Sequence, residues 1–261
     1  MKTYFRFYEE LNDFLTPSRR KTDILVEIQQ VSTVKDIIES LGVPHTEVDL
    51  ILINGVSEPF STLLKEGDHV SVYPIFESVD IAGVTKLRRK GLREHRPEYL
   101  RFVVDVNLGK LAHWMRMFGF DVTYAKDLIS DELLARISNE ESRILLTRDR
   151  GLLKRKNVDH GYFVRAKAPK EQIVEVLKRF DLLNLISLCS RCMNCNVSVK
   201  EISAAEAIPH VPPLVAQSYS KFFQCPQCHR IYWEGTHYEN MRRIIADLKR
   251  VYFESQKELS E

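Results

Sequence analysis

The chain has 261 residues, 44% hydrophobic and 28% charged, with ten glycines and ten prolines; this leaves room for one large domain or two to three small ones and excludes a low-complexity or collagen-like chain. The net charge of +2 hides an asymmetry, with 7 Lys+Arg against 14 Asp+Glu in residues 1–80 and 31 against 22 in residues 81–261. A net of −7 followed by a net of +9 implies two modules, the second suited to a polyanionic partner, and no apolar run reaches the ~18–20 residues of a membrane span.

In chain order, "YFRFYEELNDFL" reads as a strand and "DILVEIQQ" as a second, joined by a polar turn containing Pro17. "STVKDIIESLGV" reads as a helix: Ser32 or Thr33 can cap it, Val34, Ile37, Ile38 and Leu41 share a face, and Gly42 ends it. "DLILING" is a strand running into the tight turn Asn54-Gly55, and "GDHVSVYPIF" is a last strand. The order ββαββ predicts a β-grasp (ubiquitin-like) α+β domain over residues 1–80. "GVPHTEVDLILING" and "LLKEGDHVSVYP" resemble the ubiquitin-like sulfur carriers, which work through a free Gly-Gly tail. Here the chain continues through "FESVDIAGVTKLRRK" without that tail, so the expected role is docking a protein partner, and a sulfur-transfer role is disfavoured.

Residues 81–99 read as a basic linker. Together with Arg101 it carries Lys86, Arg88, Arg89, Lys90, Arg93 and Arg96, either as a solvated hinge or as a strap for nucleic-acid phosphates. Pro97 discourages a continuous helix.

Over residues 100–184 strands and helices alternate. "FVVD", "DVTYAKD", "RILLT" and "GYFVRAKA" are strand-like; "NLGKLAHWMRMFG", "SDELLARISNEES", "DRGLLKRK" and "KEQIVEVLKRFDLL" are helical. That alternation predicts a parallel sheet with flanking helices, whose ligands bind beyond the carboxyl ends of the strands. Asp105 and Asp149 both end strands there, Asp127 ends another, and Asp131 opens the helix that follows. Carboxylates brought together repel unless a cation sits among them, and an all-oxygen set favours Mg²⁺ or Mn²⁺. Such an ion can activate water against a phosphodiester, and Arg148, Arg150, Lys154, Arg155 and Lys156 would attract the polyanion. Each acid also has a structural explanation: Asp131 beside a helix dipole, Asp149 as an N-cap, Asp127 as a turn residue. Asp105, next to a core, is the hardest to explain that way.

"FVVDVNLGKLAHWMRMFGFDV", "SDELL" and "ILLTRDRGLL" resemble the Mut-seven C-terminal RNase family, a PIN-like domain, over roughly residues 100–180 and into the tail. The resemblance implies a metal-dependent nuclease whose metal-holding acids fall on Asp105, Asp131 and Asp149, with Thr147 in its Thr-x-Asp stretch. It also implies a fourth acid, for which Asp127 is the nearest candidate, and a carrier-like β-grasp domain in front.

Residues 185–261 hold all five cysteines. Cys192-x2-Cys195 and Cys225-x2-Cys228, with twenty-nine residues between the pairs, have the spacing of a zinc ribbon whose four thiolates close the shell and make the zinc structural. Cys189 has the same spacing to Cys192; the family's Arg-Cys-x-x-Cys-Asn pattern favours 192 and 195, and His229 is an outside candidate. Tyr232 and Trp233 read as packing residues, His237 and Tyr238 beside Arg242 and Arg243 as possible base or phosphate contacts, and His113 and Trp114 as surface or packing residues. The clustered thiols and the absence of a leader-like apolar segment fit a reducing cytoplasm. The expected whole is a cytoplasmic metal-dependent ribonuclease; the alternative is a non-catalytic RNA- or ribosome-binding adapter, in which the acids are structural.

Overall fold

The structure is a computed structural model and describes residues 1–76, 81, 83–87, 100–124 and 130–258, without the side chains of residues 237 and 251–258. Asp127, the side chain of His237 and most of the basic stretch at 81–99 lie outside the described residues. The chain divides into two compact units: Met1–Arg96 with Leu128–Phe163, and Pro97–Asp127 with Val164–Glu261.

In the first unit, strands β1 (Lys2–Phe7), β2 (Ile24–Glu27), β3 (Val48–Ile53), β4 (Val56–Ser57) and β5 (His69–Pro74) form a sheet of order β2-β1-β5-β3-β4. β1 and β5 run parallel at its centre and the other pairs are antiparallel, which is the β-grasp arrangement. Helix α1 (Val34–Ser40) is held at its start by a capping box: Thr33 accepts from the Asp36 amide while the Asp36 carboxylate accepts from the Thr33 amide. Phe5, Phe7, Val34, Ile38, Ile51 and Val72 are buried together beneath it. Asn54 (φ 51°) and Gly55 (φ 84°) make the tight turn between β3 and β4. The first strand is shorter than its sequence suggests. After Phe7 the chain turns into a 3-10 helix, Glu9–Phe14, because the Asn12 side chain donates to the Phe7 and Glu9 carbonyls and accepts from the Lys21 amide.

The same unit holds α3 (Asp131–Glu140), β8 (Ile144–Thr147), α4 (Arg150–Leu153) and β9 (Gly161–Phe163). β8 and β9 pair in parallel, Leu146 opposite Tyr162, with α4 in the connection between them. At Gly161 the Leu153 side chain packs close to the backbone, and a Cβ there would make it shift.

The second unit holds β6 (Arg101–Val104), α2 (Gly109–Met117), β7 (Asp121–Thr123) and α5 (Pro169–Arg179). β6 and β7 are also parallel, joined through α2, whose Leu111, Ala112 and Met115 are buried on one face as their spacing predicts. Gly119 ends this turn at φ +93°, and a Cβ there would strike the Ser187 carbonyl and the Ser190 hydroxyl. The tail adds a three-stranded antiparallel sheet, β10 (Lys200–Ile202), β11 (Phe222–Gln224) and β12 (Ile231–Trp233), with short helices α6 (Ala204–Ala207) and α7 (Pro213–Ser218) and the long α8 (Thr236–Glu258). Among the described residues no helix is long and apolar enough to cross a membrane.

Candidate functional sites

Each of the three expected acids sits where a chain segment turns into a helix. Asp105 follows β6 directly, is 5% exposed, and caps a 3-10 turn, its Oδ1 accepting from the Asn107 amide at 3.3 Å. Asp149 caps α4: its Oδ1 accepts from the Gly151 amide at 2.6 Å and the Leu152 amide at 3.3 Å. Both cap bonds fall on that one oxygen. Thr147, fully buried at the end of β8, accepts the Asp149 amide on its Oγ1 at 2.9 Å and so fixes the backbone that carries the carboxylate. That bond is a physical reason for a Thr two residues before the acid. Asp131 is the first residue of α3, whose N-cap Ser130 accepts from the Leu133 amide; an ion pair joins Asp131 to Arg155 at 3.6 Å. Asp131 and Asp149 belong to the first unit and Asp105 to the second.

The expected phosphate-binding residues divide. Arg148 is half-buried beside Asp149. Arg150 donates to the Phe14 carbonyl at 3.1 Å and the Asp13 carbonyl at 3.4 Å, and its guanidinium lies 5.1 Å from the Phe14 ring centre and 5.5 Å from that of Phe163. Lys154 donates to the Glu39 carbonyl at 2.6 Å, and burial pushes its pKa down. Both side chains therefore grip the ubiquitin-like module.

The cysteine site is compact. Of the described His, Cys, Asp and Glu residues, Cys192, Cys195, Cys225 and Cys228 form one group that could hold a metal ion, with ligand atoms all within 4.8 Å of one another. Four sulfurs bound at ~2.3 Å around tetrahedral zinc would stand about 3.8 Å apart, close to the 3.7 Å between Cys192 and Cys228. In each knuckle the amide of the second cysteine donates to the sulfur of the first: Cys195 to Cys192 at 3.3 Å, and Cys228 to Cys225 at 3.4 Å. Burial opposes ionisation of Cys192, but the amides of Cys195 and Asn194 and the hydroxyl of Tyr232 outweigh it and bring its pKa to about 6. Burial raises Cys195 to about 12. Cys189, raised by burial to about 11, and His229 both lie outside the group.

Arg116 and Asn196 have roles around this site that their sequence positions do not announce, and Tyr232, expected to pack, does more than that. The Tyr232 hydroxyl lies 3.1 Å from the Cys192 sulfur and accepts from the Met193 amide at 3.2 Å, so this aromatic orients a ligand as well as packing. Arg116, on α2, is 9% exposed and donates to four carbonyls: Val122 in β7, Tyr124 just after it, and Met193 and Asn194 inside the first knuckle. Asn196 has φ 63°; its Oδ1 accepts from the Val122 amide and its Nδ2 donates to Asp121. The available signals were a buried-face arginine in an amphipathic helix and an Asn just after a Cys-x-x-Cys knuckle. Trp114 packs edge-on against Phe118, as expected.

The family model described as the Mut7-C RNAse domain matches residues 100–245, and that described as Mut7-C ubiquitin matches residues 1–80. No curated protein matches the chain. Among solved structures, SAMP1 from Haloferax volcanii is similar at 14% identity and a TM-score of 0.25, over 30% of this chain and 100% of that one. With the first model covering more than half of its residues and the second matching its front, the chain belongs to the Mut7-C RNAse domain family and carries that family's ubiquitin-like domain.

Proposed function

We propose that the protein is a metal-dependent ribonuclease in which Asp105 and Asp149 hold Mg²⁺ or Mn²⁺ and Asp131 is a further ligand or orients the attacking water. The observation that carries this reading is the placement of Asp105 and Asp149. Each follows the end of a parallel strand and is locked there by local hydrogen bonds, within the span that matches the RNAse family. The donors fit a hard cation: they are carboxylate oxygens, and the Asp149 cap uses Oδ1 for both of its bonds, leaving Oδ2 for a ligand. The ion would supply Lewis-acid activation of water and charge stabilisation at the phosphorus. The chain's part is to fix the carboxylates, through the Thr147 and Asn107 bonds, and to attract the polyanion with Arg148 and Lys156. The four cysteines would hold a structural zinc, since their closed shell leaves no position for substrate. The ubiquitin-like domain, lacking the Gly-Gly end, is a docking module for a protein partner, and the whole acts in the cytoplasm.

The test is cleavage of end-labelled single-stranded and structured RNAs with Mn²⁺, Mg²⁺ or EDTA, alongside Asp105→Asn and Asp149→Asn. Metal-dependent cleavage lost in both variants, with zinc content retained, is the expected result. RNA binding without cleavage, surviving or tightening in the variants, would instead identify an adapter.

A further inference from the structure

The ubiquitin-like module and the segment that carries Asp149 are joined by bonds of unusual sequence separation. The Glu47 carboxylate, 1% exposed, accepts from the Phe163 amide at the end of β9 at 2.6 Å, 116 residues away. His45, 6% exposed, makes a 3.0 Å hydrogen bond to the Val158 carbonyl through Nε2, while its Nδ1 meets Glu39 at 2.6 Å. Phe163 packs against the module's own core and meets Phe14 edge-on at 5.3 Å. Arg150 and Lys154, at the two ends of α4, donate to the Phe14 and Glu39 carbonyls. A buried carboxylate and a buried imidazole with partners this distant in sequence are costly to separate, because undocking would strand their hydrogen-bonding groups. A module joined only by a linker would have no need of such bonds.

We propose that the ubiquitin-like module is a fixed clamp on the one-turn helix capped by Asp149, with Arg150 as the positioning residue through which it acts. Arg150 adjoins the cap, and its planar fork is locked between a carbonyl pair and two rings, a geometry that lysine cannot copy. α4 is only four residues long, too short to hold itself, so its place depends on such outside anchors. The clamp thus sets where the Asp149 carboxylate stands and couples any partner on the module to that position; its role in catalysis rests on the nuclease reading above.

The test is amide hydrogen exchange on the full-length, zinc-loaded protein and its Arg150→Ala, Arg150→Lys and Lys154→Met variants. The Phe163 amide reports docking, those of Gly151 and Leu152 report the Asp149 cap, and those of Ile51 and Val72 report the module's own core. Arg150→Ala should speed exchange at Phe163, Gly151 and Leu152 together by about tenfold or more while Ile51 and Val72 hold. Arg150→Lys should fail to restore it, and Lys154→Met should act in the same direction should the arginine variant fold poorly. Faster exchange at Phe163 with an unchanged cap would overturn the positioning role, and no change at either site would overturn the clamp. Neither readout depends on cleavage, so failure of the nuclease reading would be seen separately.

Discussion

The Asn196 side chain accepts the Val122 amide at 3.0 Å and donates to Asp121 at 2.8 Å, so a residue just past the first cysteine knuckle bonds to strand β7 as a neighbouring strand would. Arg116 completes the joint from the other side, its guanidinium bridging β7 to the knuckle carbonyls. The ribbon is thereby built into the α/β part of the second unit.

Asn196→Gly keeps the positive φ free of strain and removes only the side-chain bonds. It should lower stability by ~1–3 kcal/mol, because the amide of buried Val122 loses the Asn196 acceptor and Asp121 loses one of its donors. Denaturant unfolding of the zinc-loaded protein measures this. A midpoint equal to that of the wild type would show the joint to be energetically idle.

Tyr232→Phe keeps the ring and deletes the hydroxyl that meets Cys192 and Met193. One of the bonds lowering the Cys192 pKa is lost, so the thiol should rise, and zinc affinity should fall by about 10–100-fold. Chelator competition measures the affinity, and far-ultraviolet circular dichroism checks that the fold is kept.

Zinc binding should weaken as pH falls, since only thiolates coordinate. In the metal-free chain at pH 7.5, Cys192, near 6, is already ionised, while Cys195, near 12, and Cys225, raised by burial, still hold protons that the metal must displace. The sign follows: affinity rises with pH, with about two or more protons released per ion, and below pH 6 protonation of Cys192 adds to the loss. Titration calorimetry in buffers of different ionisation enthalpy counts these protons; affinity unchanged between pH 6 and 8 would contradict the ligand set.

Asp149 has two separable roles. Asparagine is as good an N-cap as aspartate, so Asp149→Asn should change stability by less than ~0.5 kcal/mol while abolishing the charge proposed to hold metal. Asp149→Ala removes the cap as well and should cost about 1–2 kcal/mol. Thermal unfolding and cleavage assays on the pair separate the roles.

Much of this molecule was legible in the linear chain because the signals are local. A capping box at Thr33, an Asn54-Gly55 turn, apolar residues at helical spacing in α2 and paired Cys-x-x-Cys knuckles each depend on atoms a few residues apart. The same locality places Asp105 and Asp149 just past strand ends. What the tertiary structure decided concerns long side chains and distant partners. Arg150 and Lys154 read as phosphate contacts from their charge, and only the fold shows that they also donate to carbonyls more than a hundred residues earlier. Arg116 carries no motif and Asn196 only closes the Arg-Cys-x-x-Cys-Asn pattern, yet they join the knuckle to β7 across more than seventy residues. A flexible cation or amide can satisfy itself in many places, and which place it takes is fixed only when folding brings buried backbone groups within its reach.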